Sequence, residues 1–209
     1  RRLEALASTE VRRPRSYELQ LGLTEPAPRR GMAVSARSAA VPGRLAPVTV
    51  DVMAGEHLLV TGVNGSGKST LLTWLGRRSA PTEDSSGSLT VSGSVFWIPQ
   101  HLPVLGDPGV EEDVWTGGVG DRGQGALHPR LWNRPISGLS DGNQRRAQLA
   151  LAAAARPEVL IVDEPTNYLD LDALEMLEAS LRPWAGTLIV ASHDRWLNEH
   201  WWGRRLHLH

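Results

Sequence analysis

The chain has 209 residues, 41% of them apolar, which suffices for one α/β domain with a core plus a short appendage and leaves too little for two full domains. Its formal net charge of −1 makes it no polycation, and the absence of Cys excludes a disulfide framework, a thiolate metal site and a cysteine nucleophile. No apolar run approaches the ~18 to 20 residues that cross a bilayer and no signal segment opens the chain, so a cytoplasmic location without direct membrane insertion is expected.

Residues 1–30 mix Arg with Pro14, Pro26 and Pro28, a short helical start at Leu3 and Leu6, and a strand-like run over 17–23. They read as the tail of a linker, leaving 31–209 as the domain. Residues 1–50 carry nine Arg against four Glu, a local excess that suits RNA phosphates and a solvated linker equally well. The stretch 158–178 reverses the sign, with seven acidic residues and no Lys or Arg. Strand character follows over 32–41 and 48–52, then a turn at Ala54-Gly55 and a near-continuous apolar strand over 58–61. Residues 66–78 read as a helix with Leu71, Leu72 and Leu75 on one face, and 89–91 with 94–98 as a hairpin around Ser92-Gly93. The Gly- and Pro-rich stretch 101–139 shows little periodicity. An Ala-rich helix over 143–155 stops at Pro157, and a buried-type strand spans 159–163. A helix marked by Leu171, Leu174, Leu177 and Leu181 ends at Pro183, and a strand over 187–192 and a helix over 194–201 complete the pattern. Strands alternating with helices predict a mainly parallel, helix-covered sheet.

Residues 62–69, Gly-Val-Asn-Gly-Ser-Gly-Lys-Ser, fit G-x-x-x-x-G-K-[ST] between an expected strand and an expected helix. In such a phosphate loop glycines let backbone N–H groups turn inward on a β-phosphate, and the helix N-terminus adds its partial positive charge. Lys68 would reach the β- and γ-phosphates and Ser69 would ligate Mg²⁺. About a hundred residues on, Leu160-Ile-Val-Asp163-Glu164 puts two carboxylates at the end of a buried strand. Parallel sheets bind ligands at the carboxyl ends of their strands, so this edge belongs beside the phosphate loop. Asp163 would hold Mg²⁺ through water and Glu164 would act as general base on the attacking water.

With these motifs in place, residues 32–209 resemble the ABC ATPases. Leu139-Ser140-Asp141-Gly142-Asn143-Gln144 looks like the family signature Leu-Ser-Gly-Gly-Gln, with Asp141 in place of the first Gly and Asn143 in place of the Gln. The resemblance implies an α/β nucleotide-binding domain of the phosphate-loop NTPase class: a mainly parallel sheet covered by helices, an antiparallel β part and a short helical subdomain. It implies ATP and Mg²⁺ as ligands, with Gly62, Asn64, Gly65, Ser66, Gly67, Lys68, Ser69 and Thr70 binding the nucleotide. Mg²⁺ falls to Ser69, Gln100 and Asp163, and catalysis to Glu164 and the switch residue His193. Ser140, Gly142 and Asn143 would meet ATP bound on a second ABC domain, and Asp170 would belong to the loop between the paired domains.

Glu164-Pro-Thr-Asn167-Tyr-Leu-Asp170 and Ser192-His-Asp-Arg195 narrow the resemblance to the ABC-F branch, since transporter subunits usually carry Ser or Ala at the position of Asn167. ABC-F proteins carry two ATPase domains on one chain and act on the ribosome, some as protection against antibiotics. The chain therefore reads as the second such domain of a longer protein, with the ribosome and its RNA as expected partners. An ATP-binding transporter subunit is the alternative, and a nucleotide-binding module without turnover a third. Strand 32–41 has no aromatic near its end, where the family stacks adenine, and only 39 residues separate Gln100 from Ser140. Among eight Trp, Trp74, Trp97 and Trp184 are expected in the core.

Overall fold

The computed structural model describes residues 20–26 and 30–209. Its strands are β1 (Met32–Val41), β2 (Leu45–Met53), β3 (His57–Gly62), β4 (Ser86–Val91), β5 (Val95–Ile98), β6 (Val159–Asp163), β7 (Thr187–Ala191) and β8 (Arg204–Leu208). The helices are α1 (Lys68–Arg77), α2 (Glu112–Gly117), α3 (Asp141–Ala154), α4 (Leu171–Leu181) and α5 (Arg195–His200). An antiparallel sheet runs β2-β1-β4 and an all-parallel sheet runs β5-β6-β7-β3-β8.

The middle of the parallel sheet is apolar on both faces because both are covered, while the edge strand β8 is largely exposed. Every residue of β6 and β7 is buried. Alternation along each strand splits the core in two: Leu160, Val162, Leu188 and Val190 face α3, α4 and the 101–139 region, while Ile161, Ile189, Leu58 and Val60 face α1 and the antiparallel sheet. Burying each such side chain contributes roughly 1.5–3 kcal/mol. Trp74, Trp97 and Trp184 lie in this core as expected, 3–8% exposed, and Trp201 joins them stacked on Trp202 at 4.5 Å between ring centroids.

The expected hairpin over 89–98 does not form. β4 pairs with β1 and β5 with β6, so the chain leaves one sheet for the other at Ser92-Gly93. Ser92 N–H donates to Ala33 O at 2.8 Å, and Ser94 N–H donates to Glu158 Oε2 at 2.7 Å. Phe96, Trp97 and Ile98 gain full burial beside β6 that a two-stranded ribbon could not offer.

Region 101–139 holds α2 and three short 3₁₀ turns, Gly120–Gly123, Pro129–Leu131 and Ile136–Gly138. The expected helical start at Leu3 and Leu6 lies outside the described residues, as do the first part of the 17–23 run and the arginines up to Arg15 with Arg29. Of that run, residues 20–23 form no strand. Residues 20–26 instead lie against the domain: Leu21 is buried in the core, Gln20 N–H donates to Gly125 O at 2.6 Å, and Thr24 O accepts from Trp184 Nε1 at 3.2 Å. Glu25 Oε2 accepts from Ala185 N–H at 3.2 Å.

Candidate nucleotide site

Register brings the site together. Asp163 of β6 pairs with Ala191 of β7, which pairs with Val60 of β3, so the carboxyl ends of these three strands lie side by side. The phosphate loop leaves β3 there, the acidic pair leaves β6 and Ser192-His193 leaves β7.

The loop turns at Gly62 (φ +148) and enters α1 at Gly67 (φ +97). A Cβ on Gly62 would collide with the Ser66 side chain and the Leu208 carbonyl; one on Gly67 would collide with the Arg44 carbonyl and Leu45. Glycine is thus required at both ends. Lys68 is 7% exposed and its Nζ donates to Gly62 O at 2.9 Å and Val63 O at 3.3 Å, holding the ammonium inside the loop's curve.

A cleft of ≈ 500 Å³ opens over this loop. Asn64, Gly65, Gly67, Lys68, Ser69 and Thr70 line it, together with Gln100, Glu164 and His193 from the neighbouring strand ends. Gly62 and Ser66 stand behind the lining, and the Ser66 hydroxyl is buried with no hydrogen-bond partner. Gly43 and Arg44, in the turn joining β1 to β2, also line the cleft; the sequence singled out neither for the site, because only the fold lays that turn on Gly67. A groove of ≈ 480 Å³ at the other edge of the sheet, near Glu25, Glu158 and Gly186, contains none of the expected site residues.

Glu164 is 3% exposed and takes a positive φ of 51°, a conformation that costs a non-glycine residue on the order of 1–3 kcal/mol and tends to occur at functional sites. His193 Nδ1 lies 2.8 Å from its Oε1, and Ser192 Oγ and His193 N–H donate to its Oε2 at 3.2 and 3.3 Å. A carboxylate only accepts, so with Glu164 ionised Nδ1 carries the imidazole proton.

Asp163 is 2% exposed. Burial pushes its carboxyl above the usual range; a hydrogen bond with Ser69 opposes this, the charge of Glu164 adds to it, and Arg145 and Lys68 pull it down. Its Oδ1 is buried and unpartnered. A buried acidic oxygen without a donor, beside a serine hydroxyl and a phosphate loop, fits a Mg²⁺ ion that takes one or two protein oxygens and completes its shell with phosphate oxygens and water.

The signature residues stand apart from this cleft. Ser140 is exposed before α3, Asn143 Nδ2 donates to its Oγ at 3.0 Å, and a Cβ on Gly142 would reach 3.0 Å from Tyr168 O. Asp170 caps α4, accepting from Ala173 N–H at 2.8 Å. Arg145, which the sequence reading passed over, is 1% exposed behind the acidic pair and donates to the carbonyls of Asp163 and Glu164.

The ABC transporter family model matches residues 45–167, more than half of the chain. The chain belongs to the ABC family of ATP-binding domains. This ABC domain is 34% identical over 164 residues to the tylosin resistance ATP-binding protein TlrC of Streptomyces fradiae, covering 74% of this chain and 29% of that protein. It is 31% identical over 159 residues to the ribosome protection protein VmlR of Bacillus subtilis (strain 168), covering 71% of this chain and 28% of the relative. Both relatives are of the ABC-F branch, and the chain spans less than a third of their length. Among solved structures it is similar to the ATP-binding cassette MJ0796 in a dimeric post-hydrolysis state bound to ADP and Pi, with a TM-score of 0.62, 20% identity, and coverage of 84% of this chain and 94% of that one. At that identity the likeness concerns the fold alone. No helix of the described residues is long and apolar enough to cross a membrane.

Proposed function

We propose that this ABC domain binds Mg²⁺-ATP in the cleft over residues 62–70 and hydrolyses it when paired with a second domain of the same kind. The observation that carries this reading is the convergence of Lys68, Ser69, Gln100, Asp163, Glu164 and His193 on one sheet edge, with Glu164 held at Oε2 by Ser192 and His193. Lys68 and the N-terminus of α1 draw the β- and γ-phosphates onto the loop. Ser69, Gln100 and Asp163 are the residues to hold Mg²⁺, which supplies neutralisation of charge on the transferred phosphoryl group. Glu164 takes the proton of a water whose oxygen attacks the γ-phosphorus, while the bond to ADP breaks. His193 positions the base through its 2.8 Å contact. Ser140, Gly142 and Asn143 complete the site of the opposing domain, with Asp170 in the loop between the two.

We further propose that the parent protein is a cytoplasmic ABC-F factor acting on the ribosome, as a translation factor or in ribosome protection against antibiotics. The names of TlrC and VmlR support this, as do Asn167 and Arg195 in their motifs, with residues 1–30 read as the linker tail before a domain at 31–209. The test is sedimentation of the full-length parent with ribosomes in ATP. Binding that is retained by an ATP-bound, hydrolysis-deficient variant supports the reading. Absence from ribosomes together with co-purification of a membrane permease overturns it in favour of a transporter subunit.

A further inference from the structure

Arg145 lies in the fully buried middle of α3, where residues 145–152 are all buried. Its Nη1 donates to Pro99 O at 2.7 Å and to Gln148 Oε1 at 3.0 Å, and its Nη2 donates to Asp163 O at 3.0 Å and Glu164 O at 2.9 Å. Its Nε is buried without a partner. Among the described residues no carboxylate pairs with it directly. A guanidinium stays protonated at neutral pH even when buried, so Arg145 is a cation here.

A buried cation is costly, and an apolar residue of similar size would be cheaper if packing were its only task. What the guanidinium does that no apolar residue can is to satisfy carbonyls from separate turns at once. Pro99 precedes Gln100; Asp163 ends β6; Glu164 begins the turn at positive φ. Helix α3 itself opens with Ser140 as its N-cap. A lysine brings the charge but not the planar fork, so it cannot bridge the same acceptors.

We propose that Arg145 is a positioning residue whose guanidinium fork locks the backbone carrying Gln100 and Glu164 to the helix that begins at Ser140, so that these three groups are presented as one rigid unit. It rests on the reading of Glu164 as the base of ATP hydrolysis. Arg145 does not line the cleft and acts only through the carbonyls of Pro99, Asp163 and Glu164. A contact made on Ser140 by an opposing domain is thereby felt at the base, because both hang on one helix.

The test compares Arg145→Lys, Arg145→Met, Glu164→Gln and the double variant Arg145→Lys/Glu164→Gln, measuring Mg²⁺-ATP affinity by calorimetry, single-turnover hydrolysis, and folding by thermal melting. The expected result is unchanged affinity with a rate about 10²-fold lower in Arg145→Lys, the size of effect a displacement of ~1 Å at a reacting group produces. The double variant should be no slower than Glu164→Gln, because a residue acting through the base adds nothing once the base is gone. Arg145→Met, if folded, should match Arg145→Lys. If Arg145→Lys hydrolyses at the wild-type rate, or loses affinity along with rate, the proposal is overturned. If both Arg145 variants fail to fold it is overturned too, since the guanidinium then holds the whole domain and not the corner. If Glu164→Gln itself hydrolyses normally, it is the ATPase reading that fails, whatever Arg145 does.

Discussion

His193 grips Glu164 at both carboxylate oxygens: its imidazole Nδ1 lies 2.8 Å from Oε1 and its backbone N–H donates to Oε2 at 3.3 Å. A carboxylate held from two sides by one residue has little rotational freedom, so under the proposed mechanism its contribution rests on its ability to take a proton and not on a search for a pose. Glu164→Gln keeps the shape and most of the hydrogen bonds but cannot take a proton. It should bind Mg²⁺-ATP normally and hydrolyse it ~10²- to 10⁴-fold more slowly. With ATP it should accumulate as a closed pair, seen as a doubling of mass in light scattering. Wild-type turnover by the variant excludes Glu164 as base, and rapid turnover by an isolated wild-type monomer excludes the composite site.

Lys68 carries the cation nearest the loop's curve, on carbonyls of Gly62 and Val63. Lys68→Ala should leave a folded domain with no ATP affinity measurable by calorimetry. Gly67→Ala should reach the same end by another route, since a Cβ there meets the Arg44 carbonyl and forces the turn off the loop. Affinity surviving both substitutions removes the phosphate-loop assignment.

Asp163 gives a stability prediction whose sign runs opposite to that of a salt-bridged carboxylate. Burial raises its folded-state pKa above the ordinary 3.8, so the folded chain holds this proton more tightly than the unfolded one. The group's contribution is therefore intact below the unfolded value and lost as pH rises through the folded one. With Mg²⁺ chelated, Asp163→Asn should melt above wild type near pH 7, and the gap should close as pH falls towards about 4. The same variant should lose Mg²⁺-dependent nucleotide binding and form no closed pair. A melting-point difference independent of pH would show that burial does not raise this carboxyl's pKa in the folded chain.

Leu21 belongs to the core although it precedes β1 and falls in the segment that reads as linker. Leu21→Ala should lower stability by about 2 kcal/mol, the low end for a buried leucine truncated to alanine, as read from urea midpoints. An unchanged midpoint means that the 20–26 segment contributes nothing to folding.

What could be read in the sequence was what local spacing decides. The loop at 62–69 and the strand ending in Asp163 declare themselves because backbone turns, helix start and carboxylates are all written within a few neighbouring positions. Ser92-Gly93 misled because a turn dipeptide serves a tight ribbon and a passage between sheets alike; the choice was made by Ala33 and Glu158, far away in the chain. Arg145 was silent for the same reason. Whether a helical arginine snorkels to solvent or stays inside depends on which carbonyls the fold brings to it, and Pro99, Asp163 and Glu164 come from other segments. In the sequence Arg44 is one charge among nine; only the fold, by laying the β1–β2 turn on Gly67, sets it apart.

The position of β3 in its sheet sets an order of events during synthesis. It ends at Gly62, yet its neighbours are β7, beginning at Thr187, and β8, beginning at Arg204. The strand that leads into the 62–69 loop therefore emerges from the translating ribosome well before either neighbour exists to pair with it, and the Leu208 carbonyl that abuts Gly62 follows later still. Until those closing strands are made, the nascent β3 is bare on both edges.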